Sequence, residues 1–103
     1  MNVKYYIYII RCSDTSLYTG ITTDMKRRYS EHFSKKGAKY TKSHTPVKIE
    51  ALWEVSSGRS LASRLEYKLK KLTKTEKEKL ILNQDKVKEI IDDPGIIVSK
   101  LMF

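Results

Sequence analysis

The chain has 103 residues, of which 40% are hydrophobic and 32% are charged, a composition that indicates one small folded domain and excludes a disordered segment. Its longest apolar run, residues 5–10, is too short to span a bilayer and lacks the features of a secretion signal. The single cysteine, Cys12, excludes an internal disulfide and a cysteine-rich zinc site, so we expect a cytoplasmic protein with no membrane partner.

The basic residues are unevenly distributed along the chain. Residues 1–83 contain 18 Lys and Arg against 8 Asp and Glu, whereas residues 84–103 contain 3 against 4. A net charge of +9 on so short a chain predicts a polyanionic partner, of which nucleic acid is the commonest. The simpler alternative is that the charge only keeps a small protein in solution.

The first two predicted elements form a β-hairpin. Residues 4–12 have apolar or aromatic side chains on both faces, which is typical of a strand covered on both sides. The two faces are Tyr6, Tyr8 and Ile10 on one side and Tyr5, Ile7 and Ile9 on the other. Residues 13–16 have turn composition, and residues 17–22 return as the second strand.

A helix and a third strand follow the hairpin. Asp24 is a good N-cap for a helix that we expect to continue to about Lys36. Residues 38–46 are a basic, polar loop, and residues 47–55 alternate as a half-exposed strand. The side chains expected on the apolar face of that strand are Val47, Ile49, Ala51, Trp53 and Val55.

Two more helices complete the predicted domain. The first extends over about residues 59–72. The second begins at a capping box formed by Thr73 and Glu76, and it either ends near residue 83 or continues to residue 91. After the break at Pro94 and Gly95, residues 96–103 form either a docked tail or a loose one.

These elements predict an α+β fold with a small three-stranded, antiparallel-type sheet flanked by helices, in the order ββαβαα. We expect the domain to cover residues 1–83, and residues 84–103 to be a C-terminal helical and apolar extension.

Arg28 and His32 lie four residues apart in the first predicted helix, so they share one face at the edge of its apolar stripe. Each has an ordinary alternative, because Arg28 can be a solvated charge and His32 a histidine at the margin of the core. Tyr8 and Tyr18 can likewise be core tyrosines of the hairpin. A buried tyrosine hydroxyl nevertheless requires a hydrogen-bond partner, and Arg28 is a candidate.

Glu66 is the one acidic residue between Arg59 and Lys74. Its ordinary alternative is an i,i+4 ion pair with Lys70, which stabilises a helix by roughly 0.3–0.5 kcal/mol. The functional alternative is a ligand for Mg²⁺, which needs only one or two carboxylates because water and substrate phosphate fill its other positions.

The order of these residues resembles the GIY-YIG nuclease domain, and most closely its short, single-domain bacterial members. The resemblance rests on Tyr6-Ile7-Tyr8, on Tyr18-Thr19-Gly20, and then on Arg28, His32 and Glu66, and it covers roughly residues 4–80. Tyr6 stands where the first motif has glycine, and Thr19 stands where the second motif has isoleucine.

The resemblance implies a metal-dependent endonuclease that hydrolyses phosphodiester bonds. It makes Tyr8 the usual candidate for the general base, with Tyr18 as an alternative that positions or deprotonates the attacking water. It assigns Arg28 to the charge on the phosphate, and His32 to a phosphate contact or a proton transfer. Glu66 would hold a single Mg²⁺ or Mn²⁺ ion.

The expected substrate is DNA in preference to RNA, in the repair or processing of branched or damaged DNA. Substrate contacts are expected from residues 35–44, where lysines can bind phosphates and a tyrosine can stack on a base. The candidates are Lys35, Lys36, Lys39, Tyr40 and Lys42. The alternative for this loop is a mobile basic segment with no ligand.

Two other functions are compatible with the same residues. One is a nucleic-acid-binding module that has this fold but cuts weakly or not at all. The other is an interaction domain in which the apolar residues 96–103 bind a protein partner or a second copy of the chain.

Overall fold

The computed structural model describes residues 3–34 and 43–102. Within these ranges the fold is α+β, as the sequence predicts, and no helix there is both long and apolar enough to cross a membrane. The elements are β1 Tyr5–Cys12, β2 Leu17–Thr22, α1 Met25–Phe33, β3 Pro46–Val55, α2 Arg59–Lys71, α3 Lys74–Leu82, a 3₁₀ turn Gln84–Lys86, α4 Val87–Ile91 and β4 Val98–Leu101.

The described strands form one antiparallel sheet in the order β2-β1-β3-β4. β1 is central and has apolar side chains on both faces because helices cover the sheet on both sides. Ile7 and Ile9 point to the face where Leu65 and Leu69 of α2 form the larger core. Tyr8 points to the opposite face, where the smaller core includes Met25 of α1.

A β-bulge changes the alternation expected for β3. Ala51 and Ile49 pair with consecutive residues of β1, so Glu50 between them is an extra residue. The bulge turns Ile49 to the face that carries Tyr8, and Val47 beyond it is exposed. The prediction of one continuous apolar face was therefore wrong for Ile49 and Val47, because a count of alternating residues cannot anticipate a bulge.

The C-terminal part of the chain adds a strand to the sheet. The prediction of three strands was wrong in number, because β4 pairs with β3 and buries Val98 in the larger core. Four residues are too few to show a clear alternation in the sequence. The division of the chain into residues 1–83 and an extension of residues 84–103 stays a prediction.

The helix boundaries follow local signals. The capping box is confirmed, since the Thr73 hydroxyl accepts from the N–H of Glu76 at 3.1 Å and the Glu76 carboxylate accepts from the N–H of Thr73 at 2.8 Å. Helix α3 ends at Leu82, which is the shorter of the two alternatives. Helix α1 ends at Phe33, slightly before the expected end.

Candidate active site

The β1–β2 hairpin places Tyr8 directly opposite Gly20. The two residues pair across the strands, and the tyrosine ring covers the position where a side chain of residue 20 would stand. A Cβ added to Gly20 would overlap the hydroxyl oxygen of Tyr8 and lie 2.5 Å from its Cζ. Tyr8 can therefore occupy this place only because residue 20 is glycine.

Three rings meet on this face of the sheet. The ring centroid of Tyr8 lies 6.3 Å from that of Tyr18 and 5.4 Å from that of His32. The rings of Tyr18 and His32 are 5.5 Å apart. Tilted and edge-on rings at these separations attract one another, so the two strands and helix α1 are joined at the point where the polar atoms converge.

Helix α1 directs Arg28 and His32 at the Tyr8 hydroxyl. Asp24 sets where the helix begins, because its Oδ1 accepts from the backbone N–H of Arg27 at 3.0 Å. One helical turn then separates the two functional side chains. Nε2 of His32 lies 2.7 Å from the Tyr8 oxygen, and Nε of Arg28 donates to the same oxygen at 3.4 Å.

Burial determines the protonation states at neutral pH. His32 is fully buried, and burial, followed by the charge of Arg28, lowers its pKa to about 4. Burial also raises the pKa of Tyr8 to about 12, against the hydrogen bond from Arg28, which lowers it. At neutral pH His32 is thus a neutral imidazole and Tyr8 a protonated phenol, and we assign the Tyr8 hydroxyl as the donor to Nε2.

Arg28 is held from two sides. Its Nη1 donates to a carboxylate oxygen of Glu31 at 2.9 Å, while its Nε is directed at Tyr8. Burial opposes the charge of Arg28, but the hydrogen bonds with Glu31 and Tyr8 outweigh that effect and raise its pKa. The guanidinium therefore stays charged and oriented beside the phenol.

Glu66 lies on helix α2. Its side chain is 17% exposed, and the Nζ of Lys70 lies 3.1 Å from its Oε2, which is the ion pair that their spacing allows. The negative charge of Glu66 also contributes to the raised pKa of Tyr8, after burial and the effects of Arg28 and Tyr18. The carboxylate is thus within electrostatic reach of the phenol.

The donor set suits magnesium better than zinc. Within residues 3–34 and 43–102, no group of three or more His, Cys, Asp and Glu side chains is arranged to hold a metal ion, as a zinc site requires. Magnesium binds through one or two carboxylates and keeps water and phosphate as its other ligands. The single carboxylate of Glu66 fits that requirement, although a metal ion would compete with Lys70 for it.

The structure brings Tyr8, Tyr18, Arg28 and His32 into contact. Glu66 acts on Tyr8 through its charge, and the catalytic roles of all five stay predictions. The five residues predicted to bind nucleic acid lie outside the described residues, and their role also stays a prediction. They are Lys35, Lys36, Lys39, Tyr40 and Lys42.

Two further residues of the site were missed by the sequence reasoning. Glu31 follows Arg28 by three residues, so helical spacing was a sufficient signal for their ion pair. The steric role of Gly20 depends on the strand register, which sets the residue opposite Tyr8. The sequence offered only the Tyr18-Thr19-Gly20 triplet as a signal for it.

The order of the site residues along the chain is the one that resembles a nuclease domain, and comparison with known proteins identifies the class. A family model described as the GIY-YIG catalytic domain matches residues 4–79. The chain belongs to the GIY-YIG domain family, and this membership supports a nuclease-like role and implies binding of nucleic acid.

Within that family the chain is similar to UPF0213 proteins. A UPF0213 protein of Fusobacterium nucleatum is 47% identical over 101 residues, which cover 98% of this chain and 100% of the relative. The UPF0213 protein YhbQ of Salmonella arizonae is 42% identical over 87 residues, covering 84% and 86% of the two chains.

A solved structure shows the same similarity. The solution NMR structure of the UPF0213 protein BH0048 from Bacillus halodurans is 44% identical to this chain and superimposes with a TM-score of 0.50. The match covers 76% of this chain and 82% of the other. The resemblance to short, single-domain members of the family, which the sequence predicted, is confirmed.

Proposed function

We propose that this protein is a metal-dependent endonuclease that hydrolyses phosphodiester bonds of DNA. The observation that carries the proposal is the contact of the Tyr8 hydroxyl with both His32 and Arg28, within electrostatic reach of the Glu66 carboxylate. Together these groups offer a route for a proton, a cation for the phosphate and an oxygen ligand for a metal ion. The family and the net charge of +9 support a nuclease with a polyanionic substrate.

Tyr8 acts as a proton relay in this proposal. Its raised pKa disfavours a free phenolate at neutral pH, so the phenol oxygen takes a proton from the attacking water while its own proton passes to Nε2 of His32. His32 is a weak acceptor, first because it is buried and second because Arg28 is nearby. A phosphate bound at Arg28 offsets the second effect, so substrate binding makes His32 a better acceptor.

Arg28 binds the phosphate and stabilises the charge that develops on it. The hydrogen bonds to Tyr8 and Glu31 orient the guanidinium before the substrate arrives, so little reorganisation is needed during the reaction. The same contact with Tyr8 keeps the phosphate close to the group that accepts the proton from water.

Glu66 is the residue that we propose as the ligand of Mg²⁺ or Mn²⁺. When bound, such an ion polarises the phosphate and stabilises the leaving oxygen. The ammonium group of Lys70, now 3.1 Å from the carboxylate, has to move aside to make room for it.

The test compares binding and cutting by Tyr8→Phe, Glu66→Gln and the wild type. We expect both variants to bind a labelled DNA oligonucleotide normally but to cut it at least about 100-fold more slowly, since proton transfer alone contributes a factor of this order. Cutting is measured with Mg²⁺, with Mn²⁺ and with chelator, on DNA and on RNA of the same sequence. Lys88→Gln, which removes an exposed charge on α4, is the control.

If Tyr8→Phe and Glu66→Gln cut as fast as the wild type, the assignment of the active site is wrong. Faster cutting of RNA than of DNA would instead contradict the proposed substrate while leaving the site in place.

A binding module that does not cut is the second candidate function. It is favoured by the ion pair that already occupies Glu66 and by the burial that keeps Tyr8 protonated. Its signature is salt-sensitive binding of nucleic acid without cleavage in the presence of either metal.

A further inference from the structure

Helix α2 carries a row of exposed side chains on the side away from the core. Their spacing is i, i+3, i+4 and i+7, so they form one line along the helix. We call this line the α2 stripe, and it consists of Arg64, Tyr67, Lys68 and Lys71. All four are exposed, whereas Leu65 of the same helix is fully buried. Apart from an ion pair of Arg64, the stripe is therefore a surface that packing of the domain does not use.

Tyr67 is the exceptional member of the stripe. Its side chain is aromatic but 62% exposed, and the ammonium group of Lys71 lies 5.1 Å from its ring centroid. Other tyrosines in the described ranges, such as Tyr8, use their rings to fill a core. Contact of a large apolar ring with water is unfavourable. An exposed ring between cations is therefore a feature that a planar, negatively charged partner can use.

The charges of the stripe favour a polyanion. Arg64 is paired with Asp93 at 3.2 Å, but Lys68 and Lys71 have no carboxylate partner within the part of the chain that the structure describes. Lysines that follow a backbone, combined with an aromatic ring for a base, are the usual components of a surface for single-stranded nucleic acid.

We propose that the α2 stripe binds an unpaired stretch of nucleic acid, with one base stacked on Tyr67 and flanking phosphates on Lys68 and Lys71. This proposal rests on the proposed function and adds the path and the state of the substrate strand. A base inside a duplex already stacks on its neighbours, so the ring of Tyr67 can receive only a base in a gap, a loop or a free end.

The stripe adjoins the candidate active site along the helix. Tyr67 directly follows Glu66, and Lys70, the ion-pair partner of Glu66, lies between Tyr67 and Lys71 in the sequence. Consecutive residues of a helix project about 100° apart, so a strand that stacks on Tyr67 has to pass a little over a quarter turn around α2 to reach the carboxylate proposed to hold the metal. Binding at the stripe and cutting at the site would involve one continuous strand.

The experiment measures the dissociation constant of a labelled DNA strand of about 12 nucleotides by fluorescence anisotropy, in chelator so that nothing is cut. We expect Tyr67→Ala to weaken binding about tenfold, within the range of one lost base stack. Tyr67→Phe keeps the ring and should stay within about twofold of the wild type. The midpoint of thermal unfolding, which an exposed ring should not affect, shows whether each variant is folded.

Two controls separate stacking from charge. Inorganic polyphosphate has the charges but no bases, so Tyr67→Ala should leave its binding unchanged. Lys68→Gln should reduce the slope of log K against log salt by about 0.7, the value for one phosphate contact on a single strand. Lys88→Gln, an equal loss of charge outside the stripe, should leave that slope unchanged.

The proposal is overturned if Tyr67→Ala binds the strand as tightly as the wild type, or weakens strand and polyphosphate equally. Binding of a blunt duplex as tight as that of the strand, with the same loss in Tyr67→Ala, would also overturn it. Failure of the wild type to cut any DNA would count against the proposed function alone, because the binding assay contains no metal.

Discussion

At the scale of single residues, the site depends on the space that Gly20 leaves for Tyr8. The tyrosine has to lie flat over residue 20 to bring its hydroxyl to His32. The adjacent Thr19 points to the opposite face of the strand, where its side chain is buried and its identity does not affect the ring. We therefore expect this chain to tolerate a change at position 19 more readily than one at position 20.

Gly20→Ala is expected to displace the Tyr8 ring, because the added Cβ would overlap the hydroxyl and lie 2.5 Å from Cζ. We expect the free energy of unfolding to fall by about 1–3 kcal/mol, as for other overpacked sites, and cutting to fall with it. Urea denaturation and the cleavage assay measure the two effects. The control is Gly95→Ala, where the nearest atom to the added Cβ is a carboxylate oxygen of Asp93 at 3.2 Å. Equal stability and cutting in Gly20→Ala and the wild type would show that Tyr8 can shift at no cost.

The buried His32 should make stability depend on pH. Its pKa is lowered from 6.5 to about 4 by burial and then by Arg28, so between these pH values the unfolded chain binds a proton that the folded chain does not. The contribution of His32 to stability is fully present above about pH 6.5 and is lost as the pH falls through 4, a total loss of about 3 kcal/mol. Urea denaturation at several pH values in this range measures the loss.

His32→Gln is the control variant for this prediction, because glutamine does not titrate in this pH range. Carboxyl groups whose lowered pKa does not depend on His32, such as Glu78, are the same in both proteins, so the difference between the two curves reports on His32. A difference in stability that stays constant across the range would contradict the lowered pKa.

Helical spacing predicted part of the site, and strand register decided the rest. The i,i+4 spacing of Arg28 and His32 was enough to place both on one edge of α1. The same kind of spacing predicted the ion pair of Glu66 with Lys70. The raised pKa of Tyr8 and the need for Gly20 could not be predicted, because both depend on which side chains meet across the sheet.

At the scale of elements, Arg11 connects two strands and a helix. Its Nε donates to Glu50 of β3 at 2.9 Å, and its two terminal nitrogens donate to the carboxylate of Glu78 on α3 at 2.6 and 2.5 Å. Glu50 is the bulged residue, so the bulge directs its carboxylate at Arg11. The planar fork of arginine can make these bonds together, and a lysine cannot.

Arg11→Lys is therefore expected to lower the free energy of unfolding by about 1–2 kcal/mol, although the charge is kept. The reason is that one ammonium group cannot hold both carboxylates in place. Urea denaturation measures the change, and Lys4→Met is the control, because it removes an exposed pair with Glu54 at 3.5 Å that should contribute less than about 1 kcal/mol. A smaller loss for Arg11→Lys than for Lys4→Met would contradict this account.

Long elements were predicted well because they contain enough residues for the period of their apolar side chains to be recognised. The hairpin, α2 and the capping box of α3 all lie where the sequence places them. The bulge at Glu50 and strand β4 were not predicted, because each depends on pairing with a distant strand and has only a few residues of its own.

At the scale of the whole molecule, strand β4 covers the edge of the sheet that β3 would otherwise form. It pairs with β3 and buries Val98 against the larger core. Removal of residues 98–103 should lower the free energy of unfolding by at least about 2 kcal/mol and leave the edge of β3 open to other chains. Urea denaturation and light scattering measure the stability and the mass in solution.

Met102→Ser is the control for the truncation, because Met102 is fully exposed and its loss should change neither quantity. A truncated chain with the stability and mass of the full chain would show that β4 is dispensable. The same comparison tests whether residues 96–103 bind a partner or a second copy, since loss of self-association on truncation would favour that function.

The order of the site residues along the chain has a consequence for protein synthesis. The groups proposed to bind phosphate and move the proton lie within residues 8–32, whereas Glu66 comes much later, on a helix packed against strands made before it. A growing chain that has released only the hairpin and α1 from the ribosome lacks the proposed metal ligand. Under the proposed function, such a chain cannot cut nucleic acid, because cutting waits until α2 has been made and has packed on the sheet.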